Sequence, residues 1–270
     1  MPVNNEFTID IGEIISRRLG GRRLPSFMVK WLRDFIHEDF LNEYLQQGRM
    51  GVDFCTGTVE YLNVDLDVKG LENLPLDDGR CYTFVSNHPL GAIDGVTLGS
   101  IIGQHYHGRI KYLVNDLLMN LKGLAPLCVP VNKLGGQSRG FPAQVEAVFN
   151  STDHVIMFPA GLCSRLIDGK VHDLPWKKTF ITKSIQTQRD IIPVHFIAEN
   201  SPRFYRIALW CKRLGLKFNL AMAFLPDEMY RSRGKRFEVR FGKPIPYQTF
   251  DKTRSHAQWA LWVEDEVYKI

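Results

Sequence analysis

The chain's clearest chemistry lies in Ser86-Asn87-His88-Pro89-Leu90-Gly91-Ala92-Ile93-Asp94-Gly95. An apolar run, Tyr82-Thr83-Phe84-Val85, precedes it and reads as a buried strand, and Val96-Thr97-Leu98-Gly99-Ser100-Ile101-Ile102 follows it as a helix. A strand-to-helix junction holds side chains rigidly at a sheet edge, where a substrate can reach them. Histidine is the side chain whose unperturbed pKa lies nearest neutrality. Asp94, one turn of chain later, can fold back and orient the imidazole. A histidine base with a carboxylate partner is two thirds of a catalytic triad. No serine or cysteine is placed as the third member, so the substrate is expected to bring the nucleophile. On this stretch alone a second reading stands equal: the histidine sits in a turn and Asp94 caps the next helix.

Three loops that follow apolar strands carry polar residues, at 87–94, 132–139 and 159–165, and loops at the strand ends of one sheet converge on one face. Asn132, Lys133, Ser138 and Arg139 could bind an anion, with Gly135-Gly136 letting backbone amides approach it. Arg165 could do the same. Taken singly, each cation also reads as a solvated surface group. Gly136-Gln137-Ser138-Arg139-Gly140 matches the G-x-S-x-G serine-hydrolase elbow. That elbow must sit directly between strand and helix, whereas Asn132-Lys133-Leu134-Gly135 intervenes here. Cys163 is a second candidate nucleophile. Cys81 and Cys128 lie in apolar strands and read as core. A metal site built from His88, Asp94, His172 and His195 would need a spacing that matches no common ligand pattern.

The elements that must position these groups alternate. Residues 62–69 read as a half-buried strand, and further strands are expected at 109–114, 127–131, 154–158, 191–197, 219–225 and 237–241. Pro193 marks the strand at 191–197 as an edge strand or the site of a bulge. Helices are expected at 7–19, 26–47, 141–149, 177–188 and 253–268. The predicted architecture is α/β, a layered mixed sheet of about seven strands flanked by helices. Residues 1–50 form a helical, membrane-proximal appendage to a domain spanning 51–270.

With 270 residues and 44% apolar side chains, the chain can form one large domain with an appendage. Its five cysteines contain no CxxC pair, which argues against a disulfide framework or zinc ribbon and favours a reducing cytoplasm. No signal peptide opens the chain, and no apolar run approaches the roughly 20 residues that span a bilayer. The net charge of +5 is unevenly spread. Arg17, Arg18, Arg22, Arg23, Lys30 and Arg33 cluster beside Phe27, Met28 and Trp31. Arg203, Arg206, Lys212, Arg213 and Lys217 cluster beside Phe204, Tyr205 and Trp210. Solvated helix faces explain such stretches, and so does an anionic membrane surface. No motif for nucleic acid accompanies them.

Asn87-His88 with Asp94, then Phe158-Pro159-Ala160-Gly161, then Ile192-Pro193-Val194, resemble the ordered motifs of the glycerolipid acyltransferase superfamily, which includes lysophosphatidic acid acyltransferases. Its pattern runs NHx4D, a basic middle motif, FPEGTRS and an apolar-Pro motif, and the likeness covers roughly 50–245. Two departures stand out: five residues separate His88 from Asp94, and Ala160-Gly161-Leu162-Cys163-Ser164-Arg165 replaces EGTRS. Both resemble the hemolysin-type branch, whose bacterial members acylate lyso-ornithine or lyso-glycine lipids. Trp176-Lys177-Lys178, Asp227-Glu228-Met229 and Phe241-Gly242-Lys243-Pro244-Ile245-Pro246 are similar to the glycine-lipid O-acyltransferases of that branch.

The resemblance implies transfer of a fatty acyl group from a thioester, on acyl carrier protein or coenzyme A, to a lysolipid hydroxyl. His88 would be general base and Asp94 its orienter, with oxyanion donors near Gly161 or in the His88 loop. Asn87, Lys133, Arg139, Ala160, Gly161 and Arg165 would bind substrate. No cofactor and no metal are expected. The implied location is cytoplasmic, on the inner face of the membrane. A lysophosphatidic acid acyltransferase is the alternative within the superfamily. A serine hydrolase using Ser138 and a non-catalytic membrane-binding module are the alternatives outside it.

Overall fold

The computed structural model describes residues 7–18, 20–115, 118–119, 121–132, 141–214 and 223–270. Its main sheet has seven strands: β1 (Asp65–Lys69), β2 (Thr83–Ser86), β3 (Ile110–Asn115), β4 (Cys128–Asn132), β5 (His154–Met157), β8 (Ile191–Ile197) and β9 (Arg236–Phe241). A short antiparallel hairpin, β6 (Arg165–Ile167) with β7 (Lys170–His172), stands apart. The sheet order is β1-β9-β8-β2-β5-β3-β4. Every pairing is parallel except β8 with β9, so the sheet is mixed as expected.

Alternation along the central strands feeds two cores. In β2, Phe84 points to one face and Val85 to the other; in β5, Ile156 opposes Val155 and Met157. Strands buried on both faces read as continuous apolar runs, and all four residues of β2 and of β5 are buried. Helices α4 (Gly51–Tyr61) and α5 (Ile93–His105) cover the first face through Phe54, Leu98 and Ile102. Helices α6 (Phe141–Phe149), α7 (Thr179–Thr187) and α10 (His256–Lys269) cover the second through Phe149, Phe180 and Val263. A capping box starts α10: Ser255 Oγ accepts the Gln258 N–H, and Gln258 Oε1 accepts the Ser255 N–H.

Several expectations are corrected. The helix expected at 26–47 is two, α2 (Ser26–Ile36) and α3 (Glu38–Leu45), after α1 (Ile11–Arg18). The break is His37, which takes the left-handed conformation at φ 55°. Its ring stacks on Tyr230 and its Nε2 meets Asp227 Oδ1 at 2.9 Å, both on α9 (Leu225–Arg231). Tertiary contacts there override an unbroken helical period. Helix α4 escaped sequence reading because glycines and β-branched residues weaken its propensity. Leu62 closes that helix, so β1 starts only at Asp65. The strand expected at 219–225 falls largely outside the described residues, and Leu225 opens α9 instead. Pro193 lies in an internal strand, not at an edge. It pairs with Val85, and the β8–β9 register slips by one residue between Val194↔Phe241 and Ile191↔Ile245, so the bulge is the correct alternative. Helix α8 (Pro202–Arg213) completes the described α-helices.

Candidate active site

Strands β8, β2 and β5 are neighbours and run the same way, so their C-terminal ends share one edge. From β2 the chain turns through His88 into α5, and from β5 it turns through Phe158 and Gly161 into β6. His88 Nδ1 meets Asp94 Oδ2 at 3.0 Å. Asp94 is wholly buried while His88 keeps 17% of its side chain exposed, so the pair opens to solvent only on the imidazole side. Nδ1–H donating to the carboxylate leaves Nε2 as the free basic nitrogen.

Asp94 occupies the second position of α5, and Ala92 is the N-cap, so Asp94 is not the cap that the alternative reading required. Its Oδ2 also accepts the Leu90 and Gly91 amides at 2.9 and 3.1 Å, and its Oδ1 accepts the Gly95 amide. Burial disfavours the Asp94 charge, but His88 and these amides outweigh it and hold the carboxyl below its ordinary value. Burial likewise disfavours a charged His88, and the Asp94 charge and hydrogen bond, with Asp173 beyond, hold its pKa above the ordinary value. The ring lies on Phe158, centroids 4.0 Å apart. Gly91 is required as glycine: its φ is +80°, and a Cβ there would come within 3.0 Å of both Cys163 and Leu225.

Sequence reading missed Asp173. Its carboxylate accepts the His88 backbone N–H with both oxygens at 3.2 Å, the Ser164 hydroxyl at 2.5 Å and the Trp176 indole N–H at 3.0 Å. Its own N–H donates to the Tyr268 hydroxyl on α10. One buried acid thus ties the His88 loop, the segment after β5, the β7–α7 connection and the last helix together. Burial raises its pKa, and those donors only partly offset the effect. The available signal was Asp173-Leu174-Pro175-Trp176, a tryptophan whose buried N–H needs an acceptor. Neighbouring His172 drew attention instead; it stacks on Tyr268 near Glu264. His195 bonds the Ile270 carbonyl.

An acyltransferase family model matches residues 16–269. The chain belongs to the acyltransferase family. It is 56% identical over 268 residues to a lyso-glycine lipid O-acyltransferase of Phocaeicola vulgatus, covering 98% of this chain and 95% of that one. It is 54% identical to the protein of the same name from Bacteroides thetaiotaomicron, covering 98% of each. The solved 1-acyl-sn-glycerophosphate acyltransferase of Thermotoga maritima shares the fold: TM-score 0.50, 17% identity, 96% of this chain and 87% of that one.

In this acyltransferase the other sequence candidates have varied positions. Asn87 is buried and binds protein instead of facing substrate: its amide donates to the Phe196 carbonyl at 2.9 Å and its Oδ1 accepts the Phe196 N–H at 2.7 Å. It pins the His88 loop to β8. Ala160 is also buried, packed with Trp176 in the second core. Gly161 is exposed at φ +73°, and its N–H donates to the Phe158 carbonyl. The His88, Leu90 and Gly91 amides are engaged as described above, so none of these four is the free oxyanion donor that was expected. Arg165 turns back, its Nη1 donating to the Cys163 and Ser164 carbonyls and contacting the Cys163 sulfur. Cys163 is 1% exposed and burial pushes its thiol up, which removes it as a nucleophile. Lys133, Arg139 and the hydrolase candidate Ser138 lie outside the described residues.

A second feature adjoins this site. Phe27, Trp31 and Phe35 line one stripe of α2, with Phe27 and Trp31 strongly exposed. Trp210 and Leu214 are exposed at and just beyond the end of α8. Arg203 joins the two helices, lying over Phe35 and Phe224 and bonded to Asp227. The basic stretch is partly neutralised: Arg17 pairs with Glu13, and Arg33 with Asp10 and Glu38. Among the described residues no helix is long and apolar enough to cross a membrane.

Proposed function

We propose that this chain transfers a fatty acyl group from an acyl thioester to the hydroxyl of a lyso amino-acid lipid of the glycine type. The observation that carries the acceptor is the identity of 54–56%, over nearly the full length, with two proteins named lyso-glycine lipid O-acyltransferase. The observation that supports the chemistry is the buried Asp94 on His88 Nδ1, which leaves Nε2 as the basic nitrogen of a part-exposed ring. A hydroxyl is a poor nucleophile at neutral pH. Nε2 removes its proton as the oxygen attacks the acyl carbonyl carbon, and Asp94 stabilises the imidazolium that forms. The C–S bond then breaks, and the thiolate leaves and takes up the proton. The acceptor supplies the nucleophile, so no acyl-enzyme is needed. The donor thioester is carried by acyl carrier protein or coenzyme A.

The acceptor and product are membrane lipids, which suits peripheral attachment to the inner face of the cytoplasmic membrane. Phe27, Trp31, Trp210 and Leu214 offer the apolar contact, and Arg22, Arg23 and Lys30 the charge. The test uses purified enzyme, one acyl donor and three acceptors: lyso-glycine lipid, lyso-ornithine lipid and lysophosphatidic acid. The highest kcat/KM is expected on lyso-glycine lipid and loss of turnover in His88→Ala. A higher kcat/KM on lysophosphatidic acid refutes the acceptor, and a folded, active His88→Ala refutes the base.

A further inference from the structure

We propose that the Lys177 ammonium receives the head-group carboxylate of the acceptor. This rests on the acceptor being an amino-acid lysolipid: a glycine whose nitrogen carries the lipid keeps a free carboxylate. Of the three cations that sequence offered for an anion, only Arg165 is among the described residues. Lys133 and Arg139 lie outside them, and Arg165 is turned onto its own loop's carbonyls. In the sequence Lys177 stands out only within Trp176-Lys177-Lys178.

The structure places Lys177 directly over the loop that carries His88's stacking partner. The Gly161 N–H donates to the Phe158 carbonyl, closing a four-residue turn whose ends lie within about 7 Å. Phe158, at one end, lies against the His88 ring. At the other end, a Cβ on Gly161 would stand 3.0 Å from Lys177 Nζ and 3.8 Å from its Cε. The glycine therefore leaves the ammonium room to approach the turn, besides supplying its left-handed backbone.

Lys177 is anchored from below. Its N–H donates to the Pro159 carbonyl, and the preceding Trp176 is buried with its indole on Asp173, the acid that holds the His88 backbone. Yet the Lys177 side chain is exposed, and among the described residues no carboxylate or carbonyl holds its ammonium. A cation fixed at its root, free at its tip and one turn from the base suits an anionic head group. Ala160 adds no carboxylate that would compete for it.

The test compares lyso-glycine lipid with its neutral methyl ester at a fixed donor. Wild type is expected to prefer the acid by up to about tenfold in kcat/KM, the discrimination from one charge-assisted contact. Lys177→Gln is expected to raise KM for the acid with kcat retained and to treat acid and ester alike. Lys177→Arg restores the preference, and Lys178→Gln, altering the exposed neighbour, leaves it intact. The proposal is overturned if Lys177→Gln keeps the wild-type preference, or if Lys178→Gln abolishes it equally. If wild type does not acylate lyso-glycine lipid at all, the acceptor assignment falls and takes this proposal with it. An active enzyme whose preference ignores Lys177 overturns the cation alone.

Discussion

His88 is a base held above the ordinary imidazole value, and that sets the sign of its pH dependence. Only the neutral ring accepts a proton, so kcat/KM should rise with pH and level off above the raised pKa. Its acid limb should therefore lie above about 6.5. Asp94→Asn removes the charge that does most to raise it. The limb should move to lower pH while the plateau falls by about 100-fold or more. A limb that stays in place would separate Asp94 from the titration of His88. Asp173 acts through His88 as a positioning residue, and its charge also favours the imidazolium. Asp173→Asn keeps one carbonyl oxygen but turns an NH2 toward either the Ser164 hydroxyl, which must then stop donating, or the donor-only Trp176 indole. We expect kcat to fall more than KM rises and the acid limb to shift down. A purely structural role would lower the yield of folded enzyme and leave the limb unmoved.

Among the helices, α2 and α5 make opposite demands. Helix α2 leaves Phe27 and Trp31 in solvent, and among the described residues Arg22, Arg23 and Lys30 pair with no acid. Each such cation near an anionic bilayer contributes about 1 kcal/mol, and salt screens it. Arg22, Arg23 and Lys30→Gln together should weaken co-sedimentation with anionic liposomes far more than Arg17→Gln, because Arg17 already pairs with Glu13. An equal loss per removed charge from both changes would show that net charge alone matters. Helix α5, in contrast, is packed so closely that Gly99 has no space for a side chain. A Cβ there would lie 2.3 Å from the Tyr112 hydroxyl and 2.8 Å from Cys55 Sγ. Tyr112 donates to the Gly95 carbonyl and is itself buried. Gly99→Ala should destabilise the fold by about 1–3 kcal/mol, read as a lower Tm, as overpacking does. An unchanged Tm would mean that α4 and α5 can slide apart freely.

The molecule as a whole carries an acid-sensitive point far from the active site. His154 is wholly buried against Tyr82 and Tyr106, its Nδ1 accepts the Tyr82 N–H, and its Nε2 has no partner among the described residues. Burial pulls its pKa down to about 4. The unfolded chain therefore binds a proton that the folded chain refuses between roughly pH 6.5 and 4. Stability from this group is present above that window and is lost as pH falls through it, by on the order of 3 kcal/mol. His154→Phe costs the Tyr82 bond at every pH but should flatten the decline, so the gap between variant and wild type narrows on acidification in urea melts. A gap independent of pH would remove His154 from the acid response. The N-terminal helices pack into the same core: Tyr44 and Leu45 are buried in it, and the Tyr44 hydroxyl bonds the Phe54 carbonyl at 2.5 Å. A chain beginning at residue 51 should fail to fold, whereas the full chain should melt in one transition.

Period and composition were enough to expose the layered α/β sheet, because strands buried on both faces must be continuously apolar and their helices amphipathic. The local pattern offered His88 and Asp94 as a candidate pair, because a histidine and an acid at a strand-to-helix junction are local in the chain, and the motif order then favoured them over a turn and a cap. The family followed from motif order, Asn87-His88, Phe158-Pro159 and Ile192-Pro193-Val194, without any three-dimensional information. What sequence could not convey is which polar groups reach one another across elements. Asn87 and Ala160 look like substrate contacts in a motif, yet packing buries the first on β8 and the second beneath Trp176. His37 breaks a regular helical period because its ring finds Asp227 and Tyr230, 190 residues away and nearby on α9. Asp173 stands 85 residues from His88 and holds it only after the sheet has brought β2, β5 and the β7–α7 connection to one edge. Hydrogen bonds between distant residues depend on distances that only the closed fold creates.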